Sequence, residues 1–453
     1  MTTKTKAKSM PPPLPGDGPV IISPAPALPR NEMEFSPITL PWLTLERLLY
    51  ALLLALALAL RLWHLTDDPL SNAEAGQSLL AWQLYQGQPI AGGLYSPLLV
   101  TLQSLAFFLL GPGDAAARLP AVLLGSLLVV LPLTFRRQLG PKVCLLVVAL
   151  LALSPTAIFL SRTVNGEIGA AAGALMLVRG LFNWAEAGRR RWLWLGAGGL
   201  ALLLTAGPMA YSIVIIFAII LMVRWAYFKE LWQQGWVLAR ASQPEPAIAA
   251  AAGNEENDQE VSAAAQNDLL GQPATPSLAP LYFFLLCLAL LATAATFNLS
   301  GLSAVSSLLT DWLGRFSAQS RPDSGFNAVF VLTIYEPLLV LIGLAGLAYA
   351  ILERDLLKET LASWFIGTIV LDVLMGGRPT GSVILPLVPL AFLAALALAE
   401  LWSSLQREGS WGNEGLLLAA GLVIGTFAYI GLTGWLICNR PDDNIAGTAG
   451  CSR

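Results

Sequence analysis

Between Leu45 and Ile437 the chain is a succession of apolar runs, most of them about as long as a lipid bilayer is thick. The hydrocarbon core of a bilayer measures about 30 Å and an α-helix rises about 1.5 Å per residue, so one crossing takes about twenty apolar residues. Eleven runs meet or approach that length: 45–65, 117–135, 143–161, 167–186, 192–207, 209–226, 281–298, 328–352, 360–376, 383–402 and 415–437. Each must be helical, because hydrocarbon offers backbone N–H and C=O groups no partner outside their own segment. Only 12% of the 453 residues are charged. The expected fold class is therefore an all-α polytopic membrane protein with about eleven transmembrane helices.

A twelfth apolar run, "SPLLVTLQSLAFFLLG" (96–111), is about one turn short of a span and lies between Ser-Pro and Gly-Pro-Gly. Charge decides its reading. As a full span it would put Arg136, Arg137 and Lys142 outside and invert every later loop. As an interfacial or re-entrant helix it leaves 18 of the 26 Lys and Arg residues on the cytoplasmic side and 8 elsewhere, a positive-inside distribution. The expected topology puts the N-terminus in the cytoplasm, the C-terminus outside, and a long external loop, 66–116, between the first two spans. That loop bears two surface-lying helices, near 72–86 and 96–111. The expected localisation is the cell (inner) membrane, multi-pass.

Two segments lack the apolar content of a packed unit. Residues 1–44 are basic and then Pro-rich, without the continuous apolar core of a secretory signal, and read as a disordered cytoplasmic tail. Residues 241–280, rich in Ala, Gln, Pro and acids, read as a disordered cytoplasmic loop. It separates an N-terminal membrane half (45–240) from a C-terminal half (281–437), with an external tail (438–453) at the end. In that tail Cys438 and Cys451 would meet an oxidising compartment and could pair. Cys144 and Cys287 fall inside spans and read as small hydrophobes, and the single histidine, His64 beside Trp63, reads as an interfacial residue. No Cys/His spacing suggests a zinc site, and no basic patch suggests a nucleic-acid partner.

The stretch "SNAEAGQSLLAWQLYQGQPI" (71–90) comes directly after the first span. It is polar, carries a single carboxylate, and predicts a short helix with no apolar face to bury. Ser71-Asn-Ala-Glu74 is a capping box, in which Glu74 returns a hydrogen bond to the start of its own helix. Glu74 also belongs to a small set of ionisable groups on the expected outer side, with Asp114, Arg118, Arg162, Glu167, Asp311, Arg315, Arg321, Asp323 and Arg378; Glu336 and Asp372 fall inside or at the ends of spans. Ionisable groups at membrane depth are costly and point to function. A carboxylate can take a proton from an attacking hydroxyl, and an arginine can hold a departing phosphate through a bidentate fork. Together they suit glycosyl transfer from a lipid-phosphate sugar. Plainer roles stand beside these: Arg118 snorkelling at a span mouth, and Glu336, before Pro337, as an acid favoured by the helix dipole.

Five segments in order carry a resemblance. They are 71–90; "YSPLLVTLQSLAFFLLGPGDAAARLPAVLLGSLLVVLPLTFRRQLG" (95–140); "LALSPTAIFLSRTVNGEIGA" (151–170); "IYEPLLVLIGLAGLAYAI" (334–351); and "GGRPTGSVILPLVPLAFLAA" (376–395). Over about residues 45–402 the chain resembles the C-type membrane glycosyltransferases, which include protein mannosyltransferases using dolichyl- or polyprenyl-phosphate sugars and the lipid A aminoarabinose transferases. The resemblance implies an inverting transfer of a hexose- or mannose-type sugar from a polyprenyl-phosphate donor. The acceptor would be a glycan, lipid or protein at the outer face. It implies Glu74 and Glu167 as candidate catalytic acids and Arg378, Arg162 and Arg118 as candidate phosphate ligands. Asn72, Tyr95 and Glu336 are expected to line the substrate space. No metal ligand set is readable, and a divalent metal is left open.

One departure bears on activity. Where the family has an Asp-Glu pair, this chain has Ala73-Glu74. Either Glu74 or Glu167 does the work of the missing Asp, or the chain is a catalytically inactive relative serving as a membrane subunit or lipid-binding partner. A transporter is a third reading. Against it stand the long first loop and the expectation of no inverted repeats and no helices broken in mid-span.

Overall fold

The computed structural model describes residues 45–408 apart from 68, 91–92, 242–277, 318–327, 354 and 377–378. The expected tail 1–44, most of the loop 241–280, the span 415–437, Cys438, Cys451 and Arg378 lie outside the described residues. Contacts divide the chain after Leu45, and the helices beyond that point belong to the unit Glu46–Arg453. All described regular structure is helical: α1 (Leu45–Leu62), α2 (Asn72–Tyr85), α3 (Pro97–Leu110), α4 (Asp114–Val130), α5 (Arg136–Leu139), α6 (Pro141–Leu153), α7 (Pro155–Arg162), α8 (Glu167–Ala187) and α9 (Arg191–Ala206). Then come α10 (Ala210–Val223), α11 (Trp225–Ala241), α12 (Ala279–Ala292), α13 (Gly301–Gly314), α14 (Ala328–Tyr335), α15 (Pro337–Glu353), α16 (Leu356–Leu374) and α17 (Ile384–Glu408). Short 3-10 turns extend α4 and precede α17.

The centre of the bundle is α17. Every residue from Gly381 to Leu396 is buried, as a helix apolar on all sides must be. It packs against α15 and α16 and, across the two halves of the sequence, against α6 and α8. Helices α8 and α9 make the most extensive pair. They approach through small residues: a Cβ on Gly173 would stand 2.6 Å from the Gly199 carbonyl oxygen. Small residues at such crossings let backbones come close where lipid gives helices no hydrophobic reason to associate.

Three stretches are long and apolar enough to cross a membrane, Asp114–Leu139, Glu167–Ala187 and Thr380–Ser404, or up to six if each bent pair is one span. Three expected spans are thus not continuous. The run 143–161 is broken at Ser154-Pro155 with a 58° bend, 328–352 at Glu336-Pro337 with a 113° bend, and 209–226 leads into a bend of 86° at Arg224. Proline removes one N–H from the helical ladder and clashes with the preceding turn, which accounts for the first two. Broken helices are therefore present among the described residues, and their expected absence no longer argues against a transporter. The run 281–298 likewise ends as a helix at Ala292, with Ala294, Ala295 and Thr296 beyond it in the left-handed region.

The expected helices at 72–86 and 96–111 both form, as α2 and α3. With fourteen residues, α3 is about 21 Å long, too short for a crossing. Ser96 caps it, and Gly111, with φ of 85°, ends it. One expectation is corrected: α2 does bury a face. Glu74, Ser78 and Ala81, one above another at helical spacing, face the interior. The stripe looked unburiable because it is polar, but its partners are polar too. Gln103 of α3 donates to Ser78 Oγ (3.2 Å) and to the Ala117 carbonyl (2.8 Å), and Gln77 exchanges two hydrogen bonds with the Ser96 backbone.

Candidate functional site

Few charges are buried among the described residues, and the buried carboxylates there share one placement: each accepts from a backbone N–H at a helix N-terminus. There the first N–H groups lack intrahelical partners and the dipole favours a negative charge. Glu74 Oε2 accepts from Ser71 N (2.9 Å), the start of its own α2. Glu336 Oε1 accepts from Thr156 N (3.1 Å) and from the Ser154 hydroxyl, at the start of α7. Asp372 Oδ2 accepts from Ala328 N (3.0 Å), the first residue of α14. Glu167 Oε1 accepts from Met209 N (3.3 Å), the residue before α10. Glu336 is thus a helix-start acid as expected from the dipole, but for α7 rather than for the helix it precedes in sequence.

The two candidate acids grip one short loop, 163–166, from opposite ends. Glu74 Oε1 accepts the Val164 N–H at 2.9 Å, and Glu167 comes after the loop as the first residue of α8. Their surroundings differ. Glu74 is 6% exposed and its carboxylate is saturated: Oε1 takes Val164 N and Arg118 Nε (3.3 Å), and Oε2 takes Ser71 N and Arg118 Nη2 (3.3 Å). Burial pushes this carboxyl up, but Arg118 and the Ser71 and Val164 N–H groups outweigh burial and hold it below the usual carboxylate range. Arg118 spends its other described bonds on the carbonyls of Leu65 (2.8 Å) and Pro69 (3.2 Å). The pair is a clamp that ties α2, α4, the segment between α1 and α2 and the 163–166 loop together.

Glu167 is 4% exposed, and its Oε2 has no hydrogen-bond partner among the described residues. A buried carboxylate oxygen left unpaired is costly and needs an explanation. Around it the backbone comes in close. A Cβ on Gly207 would stand 2.6 Å from Glu167 Oε1, so only glycine lets the carboxylate lie along this turn. Asn165, whose Oδ1 accepts the Glu167 N–H (3.0 Å), abuts Gly381 through its side-chain amide, and the Nδ2 of that amide is also unpartnered among the described residues. Ser96 Oγ lies beside Gly166 and donates to the Thr205 carbonyl (3.4 Å). Asp311 and Arg315 are ion-paired one helical turn apart at 2.8 Å. The Gly376 N–H is held by the Arg315 carbonyl at 2.9 Å.

Five separate segments are therefore linked in contacts that start at Glu167: the 163–166 loop and the 205–209 turn touch it, Ser96 touches both of these, and the turn before α17 touches Asn165 and, through Gly376, the end of α13. Arg378 itself is outside the described residues, but Gly376 and Gly381 on either side of it touch Arg315 and Asn165. The remaining candidates take other positions. Arg162 is half-buried and donates to the His64 carbonyl (2.8 Å). Asn72 is exposed. Tyr95 is buried, its hydroxyl accepting from Asn298 Nδ2 (3.0 Å). Among the described residues no three His, Cys, Asp or Glu side chains gather as a metal site. Sequence reading missed Asn165, Ser96 and Gly207 as members of this site. The i, i+4 spacing of Asp311 and Arg315 was the one signal available for that pair.

No family model and no curated protein matches the sequence. Solved structures do match. The oligosaccharyltransferase AglB of Archaeoglobus fulgidus, in the apo form, superimposes with a TM-score of 0.54 at 13% identity, covering 88% of this chain and 58% of AglB. AglB in complex with an inhibitory peptide and a dolichol-phosphate gives 0.51 at 13% identity, with the same coverage. ArnT of Cupriavidus metallidurans, bound to undecaprenyl phosphate, gives 0.50 at 15% identity, covering 77% of this chain and 60% of ArnT. The fold is the one that AglB and ArnT share with this chain. At these identities the likeness is one of fold, and the chain spans somewhat over half the length of these proteins.

Proposed function

We propose that the protein is a glycosyltransferase of the C-type fold that moves one hexose- or mannose-type sugar from a polyprenyl-phosphate donor to an acceptor glycan, lipid or protein at the outer face of the cell membrane, with inversion. The observation that carries the reading is the unpartnered oxygen of Glu167 at the junction of five segments. Glu167 accepts the proton of the acceptor hydroxyl while the hydroxyl oxygen bonds to the anomeric carbon from the face opposite the leaving group. The bond from the anomeric carbon to the phosphate oxygen breaks, and polyprenyl phosphate leaves with the electron pair. Arg378 holds that phosphate as it leaves. In support, AglB and ArnT of the same fold have been solved with dolichol-phosphate and undecaprenyl phosphate. The saturated Glu74 and Arg118 serve the site as its clamp rather than as base and phosphate ligand.

A second reading has its own observation. Ala73 stands where the family has an acid, is exposed, and adjoins a carboxylate that is fully engaged. On that reading the chain keeps a lipid-phosphate site without turnover. The experiment is transfer from radiolabelled polyprenyl-phosphate sugars by the purified protein in nanodiscs. Labelled product, lost in Glu167→Gln, supports the enzyme. Retained binding of undecaprenyl phosphate, with no product from any donor until Ala73→Asp is introduced, supports the second reading.

A further inference from the structure

The break between α6 and α7 removes three rungs of the helical ladder. Pro155 has no N–H for the Leu151 carbonyl, and the N–H groups of Thr156 and Ala157 no longer reach the carbonyls of Ala152 and Leu153. Each lost rung has a replacement. The Leu151 carbonyl accepts from Arg61 Nη2 at 3.1 Å. Thr156 N donates to Glu336 Oε1 at 3.1 Å, and Ala157 N donates to Ser154 Oγ at 3.1 Å. Arg61 belongs to α1 and is 1% exposed, so it does not snorkel to water. Its other terminal nitrogen donates to the Ala57 carbonyl (3.0 Å), and Nε has no partner among the described residues. Gly125 of α4 lies beside Nε, and its lack of a Cβ admits Ser161 of α7, which a Cβ there would meet at 2.3 Å.

The charges match the dipoles they meet. Arg61 faces the carbonyl end of α6, and Glu336, itself at the 113° break before Pro337, faces the N–H end of α7. We infer that Arg61 and Glu336 are a pair of positioning residues that hold this break open and so aim α7. Helix α7 delivers the 163–166 loop to the Glu74 clamp and Glu167 to its junction, so the consequence for turnover rests on the function proposed above. The geometric claim does not.

The test uses the full chain in membranes, with its four cysteines replaced and with Asn165→Cys and Gly381→Cys, which abut across the junction. Oxidative cross-linking of that pair reads the position of the loop without any activity. Arg61→Met and Glu336→Ala should each slow cross-linking at least about fivefold, while Glu336→Gln, which still accepts the Thr156 N–H, should restore it. In the native-residue protein, the same two truncations should lower kcat about tenfold or more with a smaller change in donor KM. If either truncation fails to fold, Arg61→Lys carries the test. In lysine one nitrogen has to serve both carbonyls, without the fixed fork of the guanidinium, so cross-linking should slow severalfold. Folded Arg61→Met, Glu336→Ala or Arg61→Lys protein cross-linking at the wild-type rate would overturn the inference. Cross-linking that responds as expected in a protein with no transfer activity leaves the inference standing and rejects the enzyme reading.

Discussion

Glu74 and Glu167 lie at the two ends of one loop, and the protein treats them oppositely. Glu74 has donors on both oxygens, two from a buried arginine and two from backbone N–H groups. Glu167 has one donor on one oxygen and none on the other among the described residues. A saturated carboxylate is rigid and a weak base, since every bond that holds it favours its ionised form. A half-satisfied one retains unspent capacity, which a substrate hydroxyl could use. On the function proposed above, Glu74, next to Ala73, is thus less suited to proton transfer than the acid on the far side of the loop.

The largest expected effect tests the Glu74 side of that contrast. Glu74→Ala leaves Arg118 buried (5% exposed) without its counter-charge, a loss of about 3–5 kcal/mol. Thermal unfolding in detergent should show most of the protein lost or strongly destabilised. Glu74→Gln keeps the capping box but not the ion pair and should fall between Ala and wild type. If Glu74→Ala is as stable as wild type, the clamp does not exist.

An intermediate effect concerns the phosphate side of the Glu167 junction. Arg378→Ala should weaken donor use about tenfold or more, and Arg378→Lys should recover only part of that, because an ammonium lacks the bidentate fork. Unchanged donor KM in Arg378→Ala would remove this arginine from the site.

The smallest effect is in pH. The carboxyl of Glu74 is depressed in the folded state, so its contribution is present above the unfolded value, near 4.5, and is lost as pH falls through the folded value. The difference in Tm between wild type and Glu74→Gln should therefore be constant from about pH 7 to about 5 and shrink below that. A difference that grows on acidification would contradict the ion-pair account.

Legibility in the sequence depended on the range of each interaction. The Ser71–Glu74 box was readable because its partners are three residues apart, and both hydrogen bonds of the box are in place. Arg118 as the second half of the clamp was not, because it lies forty-four residues away and nothing in its flanks marks a partner. The burial of α2 was misjudged for the same reason: a polar stripe needs Gln103 and Ser96 opposite it, and these belong to another helix and its cap. Pro155 and Pro337 were visible, but apolar runs tolerate proline, and only the packed structure tells a kink from a break. Arg61 is marked in the sequence as an arginine inside an apolar run. The all-helical class and the two short helices after α1 were readable because they depend on run length and local caps.

If Glu167 rather than Glu74 is the working acid, the sharpest measurement is turnover of Glu167→Gln against Glu74→Gln in one nanodisc assay. Both variants keep a hydrogen-bonding carbonyl oxygen and lose the ability to take a proton. Glu167→Gln should lower kcat about a hundredfold or more with its Tm near wild type, and folded Glu74→Gln should keep kcat within about tenfold despite a lowered Tm. Full turnover in Glu167→Gln, together with its loss in folded Glu74→Gln, would contradict this assignment.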